Sequence, residues 1–387
     1  MELPSYFKDF LKEIRPTQNQ RDEMKTGHTT LRDRLRNYES LKGIYVSDFL
    51  QGSYRRSTAV RPKADKRSDV DIIVVTNLHE EDYTPRQAMK LFEPFLNEYY
   101  KDKWEPQGRS MGITLSYVDL DLVITSAPSE AEAEKLQSKS VRYIGDVESA
   151  PDWILSRDWV PFEERYSLAE QFYAKNASLI NPWKLEALRI PDRDANEWDD
   201  THPLEQISQT TAKNRVCSTH YINVVKALKW WRRINTDNLP KYPKGYPLEH
   251  LIYDCCPDEI ASVAQGVTLA LEEIVRKYQW NASTETTPFL PDHGVPNHNV
   301  FHRVTGEEFA EFYEGIKDAA QIARKALDED NKSKSVEEWR KLFGDKFPKD
   351  NSNDSGGGDD TSSKSARQSG GYSNPQRPSS IGEGTYA

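Results

Sequence analysis

The residues that could do chemistry crowd into one stretch, QGSYRRSTAVRPKADKRSDVDIIVV at 51–75. It holds Gly52-Ser53, a basic run, and then Asp69 and Asp71 in Asp-x-Asp spacing at the mouth of an apolar run. In a strand, residues two apart project to the same side, so this spacing sets two carboxylates together. Like charges that close are unstable unless a cation sits between them. Hard divalent ions, Mg2+ or Mn2+, take carboxylate oxygen and bring substrate phosphates as further ligands. A third acid for a two-ion site comes from LSYVDLDLVIT at 115–125, where Asp119 and Asp121 share a face. Asp121 directly precedes the apolar Leu-Val-Ile and is the preferred third ligand; Asp119 stays a competitor. An isolated Asp-x-Asp is more often a solvated turn before a strand, and the second acidic strand with the upstream Gly-Ser reverses those odds. Gly52 lets a backbone approach a ligand closely, and the amide and hydroxyl of Ser53 can donate to phosphate oxygens.

Those side chains need a sheet behind them. GIYVSDFLQGS, DVDIIVVTN and ITLSYVDLDLVIT read as strands, with TPRQAMKLFEPFLNEYYKDK between them as a helix. Residues 5–40 read as helical, with Phe7, Phe10, Leu11 and Ile14 at helix-like spacing. From about residue 206 the signals turn helical, through CSTHYINVVKALKWWRRINT to EEFAEFYEGIKDAAQIARKALDED. An α/β half with a mixed sheet is therefore followed by a helical half. From about 349 the chain is rich in Ser, Gly, Asn and charge, with Ile381 its only aliphatic residue larger than Ala. Such a segment cannot bury enough surface to offset chain entropy and is expected to be a disordered tail.

Composition narrows the class. The chain has 387 residues and a net charge of −10, which argues against a protein that coats long nucleic acids. Cys217, Cys255 and Cys256 make no disulfide framework, no 20-residue apolar span occurs, and the polar N-terminus is no secretory signal, so a cytoplasmic setting without a membrane is expected.

The order Gly-Ser, Asp-x-Asp, third Asp on a later strand resembles the polymerase-β-type nucleotidyltransferase superfamily. RDANEWDDTHPLEQI, VVKALKWWRR, KGYPLEHLI, PFLPDHGVPNHN and EEWRKLFGDKFP narrow the resemblance to the bacterial CD-NTases, relatives of cyclic GMP-AMP synthase and oligoadenylate synthase, over residues 5–348. It implies an α+β fold: a polymerase-β-like nucleotidyltransferase core with a mixed sheet at 1–205, an oligoadenylate-synthase-like helical domain at 206–348, and the tail at 349–387. It further implies synthesis of a cyclic di- or trinucleotide second messenger from NTPs, ATP first and GTP as an alternative, with two ions on Asp69, Asp71 and Asp121, a downstream effector that senses the product, and a role in anti-phage (CBASS-type) signalling.

The resemblance also assigns roles to single residues. Lys229 falls where relatives place a phosphate-contacting lysine, and Lys226 lies three residues before it on the same helical face. A solvated basic face is the plain alternative. Tyr246 falls near an aromatic that stacks on a nucleobase, although Gly245 stands where relatives often carry a serine. Ala387 ends the tail as a candidate conjugation site, since some members have an exposed C-terminal Gly or Ala that an E1/E2-like partner joins to a target. His250, Cys255 and Cys256 fall short of a four-ligand zinc site, and no activation by double-stranded DNA is expected. Two other classes stay open at this stage: another nucleotidyltransferase, extending RNA or tRNA or modifying a protein or small molecule, and a non-catalytic nucleotide-binding scaffold.

Overall fold

Alternation along the strands shapes the molecule. The computed structural model describes residues 1–63, 66–126 and 187–350, and the expectations for the tail, Ala387 included, lie outside them. Strands β1 (Tyr45–Gln51), β2 (Ser68–Thr76), β3 (Trp104–Pro106), β4 (Met111–Thr114) and β5 (Val118–Ile124) form one sheet in the order β1-β2-β5-β4-β3. β2 and β5 run parallel and the other pairs antiparallel, so the sheet is mixed, as expected. On the even face Val70, Ile72, Val74, Leu120 and Leu122 are buried with Met24, Leu31 and Leu35 of helix α2 (Gln18–Asn37), with Met89 of α4 (Pro85–Lys90), with Phe92, and with Phe95 and Leu96 of α5 (Glu93–Tyr99). On the odd face Ile73, Val75, Phe49 and Val123 are covered by Leu188 and Ile190 of a hairpin, β6 (Leu188–Asp192) and β7 (Glu197–Thr201). That cover stops short of Asp69, Asp71, Asp119 and Asp121, which continue the odd face of β2 and β5.

The helical half is built from α6 (Pro203–Val216), α7 (Tyr221–Ile234), α8 (Tyr246–Cys255), α9 (Val263–Ser283), α10 (Gly306–Asp328) and α11 (Lys332–Phe343). Its core takes in the N-terminal helix. The helical reading of 5–40 resolves into α1 (Pro4–Ile14) and α2, parted at Pro16. Phe7 packs edge-on against Trp339 at 4.9 Å and Phe347 at 5.2 Å, and Phe10 stacks on Phe343 at 4.5 Å. So α1 sits in the core of the helical half and α2 in that of the sheet. The compact unit runs through Asp350, whose carboxylate accepts from Tyr6, Lys332 and Ser333. No helix among the described residues is long and apolar enough to cross a membrane.

Candidate active site

The parallel register of β2 and β5 sets Asp69 opposite Asp119 and Asp71 opposite Asp121. Four carboxylates thus stand as two neighbouring pairs where the strands leave the sheet's apolar cover. Burial first, then Asp71 and Asp119, push Asp69 up to about 6. Burial first, then Asp71 and Asp69, push Asp121 up to about 6 as well. Asp71 is also raised, chiefly by burial, against the pull of Arg56 and Lys229. Asp69 is exposed on the lining of the cleft, where Arg233 and Lys229 oppose the rise. Asp119 differs from the other three because Arg67 Nε donates to its Oδ1 at 2.9 Å, whereas among the described residues Asp121 accepts only from Ser110 Oγ, at 3.4 Å. Asp119 lines the open cleft together with Asp69 and Asp71, while Asp121 lies two residues further along β5 beside Asp71.

Gly52 occupies the turn between β1 and the single helical turn α3 (Gly52–Arg55). Its φ of +70° favours glycine, and a Cβ there would lie 1.7 Å from Asp71 Oδ2, so no side chain fits. Gln51 pairs with Asp71 across the sheet, which brings Gly52-Ser53 directly beside the carboxylates. The Ser53 carbonyl is tied down by the amides of Thr58 at 2.9 Å and Ala59 at 3.1 Å.

The opposite wall comes from the helical half. Lys229 on α7 lines the cleft, and its Nζ donates to Glu249 Oε1 at 2.7 Å. Glu249, on α8, is buried and also accepts from Arg56 Nε at 3.1 Å and Thr58 Oγ1 at 2.8 Å. Burial alone would raise its pKa, but Lys229 and Arg56 outweigh that and hold it down at about 2. Burial lowers Lys229, and Glu249 opposes that shift. Tyr246 lines the cleft too, with the Arg56 guanidinium 5.0 Å above its ring and its hydroxyl 3.2 Å from His250 Nδ1. Gly245 before it has φ +62° and open space around it.

Lys226 does not join them. It is 5% exposed and lies outside the residues lining the cleft, because the wall begins one turn later, at Lys229. Trp231 packs on Phe312 and Trp230 Nε1 donates to the Phe343 carbonyl, both as structural residues. Sequence reasoning missed Arg56, Thr58 and Glu249. The basic run after Ser53 hinted at Arg56, but a glutamate within a helix carries no mark of burial.

Together these walls enclose a cleft of about 1540 Å³, larger than the roughly 300–1,000 Å³ usual for one small ligand. Among the described residues no three His, Cys, Asp or Glu side chains stand close enough to hold an ion as they are oriented. The donor set nevertheless suits a hard cation: the Asp71 charge raises both Asp69 and Asp121, and all three carry oxygen donors only.

The Second Messenger Oligonucleotide or Dinucleotide Synthetase domain matches residues 1–128. A protein of Salmonella paratyphi B named a probable cyclic AMP-AMP-GMP nucleotide synthase is 51% identical, covering 90% of this chain and 92% of its own. The cyclic AMP-AMP-GMP synthase of Enterobacter hormaechei is 48% identical over 98% of this chain and 97% of its own. Among solved structures, CdnG of Bradyrhizobium diazoefficiens in complex with GTP shares the fold at a TM-score of 0.62 and 12% identity, over 88% of this chain and 95% of that one. The E. coli CdnC:HORMA-deltaN complex does so at 0.61 and 16%, over 90% and 99%. With its carboxylate-bearing mixed sheet facing a helical half, the chain belongs to the bacterial CD-NTases, nucleotidyltransferases that make cyclic oligonucleotides.

Proposed function

We propose that this enzyme joins ATP and GTP into a cyclic trinucleotide of two adenylates and one guanylate, the product named for two relatives about half identical over nearly their whole length. The observation that carries the site assignment is the paired register of Asp69 with Asp119 and Asp71 with Asp121, beside a glycine pressed against Asp71. Asp69, Asp71 and Asp121 would hold two Mg2+ ions. Bound there, such ions acidify an acceptor ribose hydroxyl and neutralise charge on the triphosphate and leaving pyrophosphate. Gly52 and Ser53 offer an amide and a hydroxyl to the donor phosphates. Lys229, with its ammonium preset by Glu249, adds a cation on the far side. Tyr246, which lines the cleft beneath the Arg56 guanidinium, would be the aromatic on which a base stacks.

The product would act as a second messenger on a downstream effector in anti-phage signalling. Ala387 would be the point at which an E1/E2-like partner conjugates the enzyme to a target. The catalytic reading is tested by incubating the protein with ATP, GTP and Mg2+, digesting with phosphatase and weighing what survives. A cyclic species with two adenines and one guanine is expected. Label left on the polypeptide, or products wholly degraded by phosphatase, would refute it.

A further inference from the structure

Two adjacent arginines at the end of α7 grip two separate loops. Arg232, 7% exposed, donates from Nε to the Pro243 carbonyl at 3.3 Å and from Nη2 to the carbonyls of Lys241, at 3.1 Å, and Pro240. Arg233 donates from Nη1 to the carbonyls of Val60, at 3.3 Å, and Arg61. Backbone carbonyls take these bonds, and among the described residues neither guanidinium makes an ion pair, although the charge of Arg233 reaches Asp69 across the cleft. Each gripped loop then carries two exposed lysines into the cleft: Lys63 and Lys66 on one, Lys241 and Lys244 on the other. None of the four has a carboxylate partner among the described residues. Lys241 and Lys244 instead rest over the ring of Tyr242, at 5.2 and 5.4 Å. Solvated surface lysines are common, but these stand on loops held by the buried Arg232 and the half-buried Arg233, in a chain of net charge −10. An uncompensated cationic edge on a cleft fits an anionic ligand.

The chemistry of the product says which anion needs it. Each transfer forms a bond from a sugar hydroxyl oxygen to an α-phosphorus, breaks the α–β phosphoanhydride, releases pyrophosphate and gives the hydroxyl proton to solvent. The growing chain keeps its own 5′-triphosphate until ring closure consumes it. One reacting centre cannot hold that triphosphate while the next NTP reacts there, so the end must wait elsewhere without leaving. We propose that Lys63, Lys66, Lys241 and Lys244 form a second phosphate site at the rim of the cleft, holding the 5′-triphosphate of the linear intermediate between transfers. This rests on the reading of the enzyme as a cyclic oligonucleotide synthase.

The test uses the full chain with Lys241→Gln/Lys244→Gln, Lys63→Gln/Lys66→Gln and the matching Lys→Arg pairs, supplied with ATP, GTP and Mg2+. Released linear 5′-triphosphate oligonucleotides and cyclic product are separated by ion exchange before and after phosphatase. Each Gln pair should raise the ratio of linear to cyclic product roughly tenfold, as expected for loss of charge-assisted phosphate contacts. The Arg pairs should stay near wild type, and added salt should raise the wild-type ratio more steeply than that of the Gln pairs. A ratio unchanged in the Gln pairs would overturn the proposal. So would a rise in the NTP KM of the first transfer that alone accounts for the lost cyclic product, which would make the lysines part of the donor site. A wild-type protein that makes neither linear nor cyclic oligonucleotide would overturn the underlying reading of function as well.

Discussion

Asp119 and Asp121 share a face of β5 and differ in what stands against them. Arg67 already neutralises Asp119, while Asp121 meets the negative charge of Asp71 and Asp69 with only a distant serine hydroxyl to help. Asp121→Asn should therefore abolish incorporation of labelled NTP, and Asp119→Asn should leave a readily measured share; the reverse order would exchange their roles. The raised carboxyls also set a pH dependence. An acid held near 6 is protonated below that pH and loses its grip on a cation. Turnover at limiting Mg2+ should fall as the pH drops through about 6, and saturating Mg2+ should move that limb to lower pH; a limb indifferent to Mg2+ would assign it to other groups. Without metal the sign for stability is opposite. Carboxyls raised from 3.8 favour the folded state increasingly as the pH falls through 6, because protonation relieves their burial and repulsion. Asp69 and Asp71 were legible in the sequence because strand alternation alone sets them together. The choice between Asp119 and Asp121 was not, because alternation puts both on one face and only the neighbours distinguish them.

At the scale of elements, Glu249 joins three segments: the loop after α3 through Arg56 and Thr58, α7 through Lys229, and α8 on which it stands. Its removal would leave two cations buried without their counter-charge. Glu249→Ala should cost about 3–5 kcal/mol in urea unfolding, and Glu249→Asp less. A loss below about 1 kcal/mol would show that water or a nearby carboxylate takes over the pairing. β1, β2, the tight glycine turn and most helices could be read from periodicity and turn chemistry. The single strand expected at 113–125 instead folds as β4 and β5, and the single helix expected at 84–103 breaks into Pro85–Lys90 and Glu93–Tyr99. The short β3, β6 and β7 gave no alternation long enough to read. The destination of α1 could not be read either. Phe7, Phe10, Leu11 and Ile14 declare an apolar helix face, but nothing in that face says that it belongs with Trp339 and Phe343, more than 300 residues away, and not with the sheet that follows. Lys226 and Lys229 show the same limit at shorter range: helical spacing puts them on one stripe, and only the position of the wall brings the second, still largely buried against Glu249, to the cleft and leaves the first outside it.

For the whole molecule, a chain of net charge −10 carries a cleft lined in part by lysine and arginine. Composition reported the sum and concealed this division, which tertiary structure creates by bringing the loops around 63 and 241 to one edge. The compact unit closes at Asp350, two residues beyond the boundary expected from composition, where Tyr6 and Ser333 donate to its carboxylate. Deleting the last few residues should leave NTP turnover in vitro unchanged and prevent thioester formation with an E1/E2-like partner; conjugation of the truncated protein would refute the role given to Ala387. The account as a whole stands on the carboxylates at the mouth of the sheet. The most direct measurement is labelled-NTP incorporation by Asp69→Asn/Asp71→Asn protein whose circular dichroism and thermal melt show it folded. The account predicts no phosphatase-resistant product above background at any Mg2+ concentration, and substantial turnover by that folded variant would contradict it.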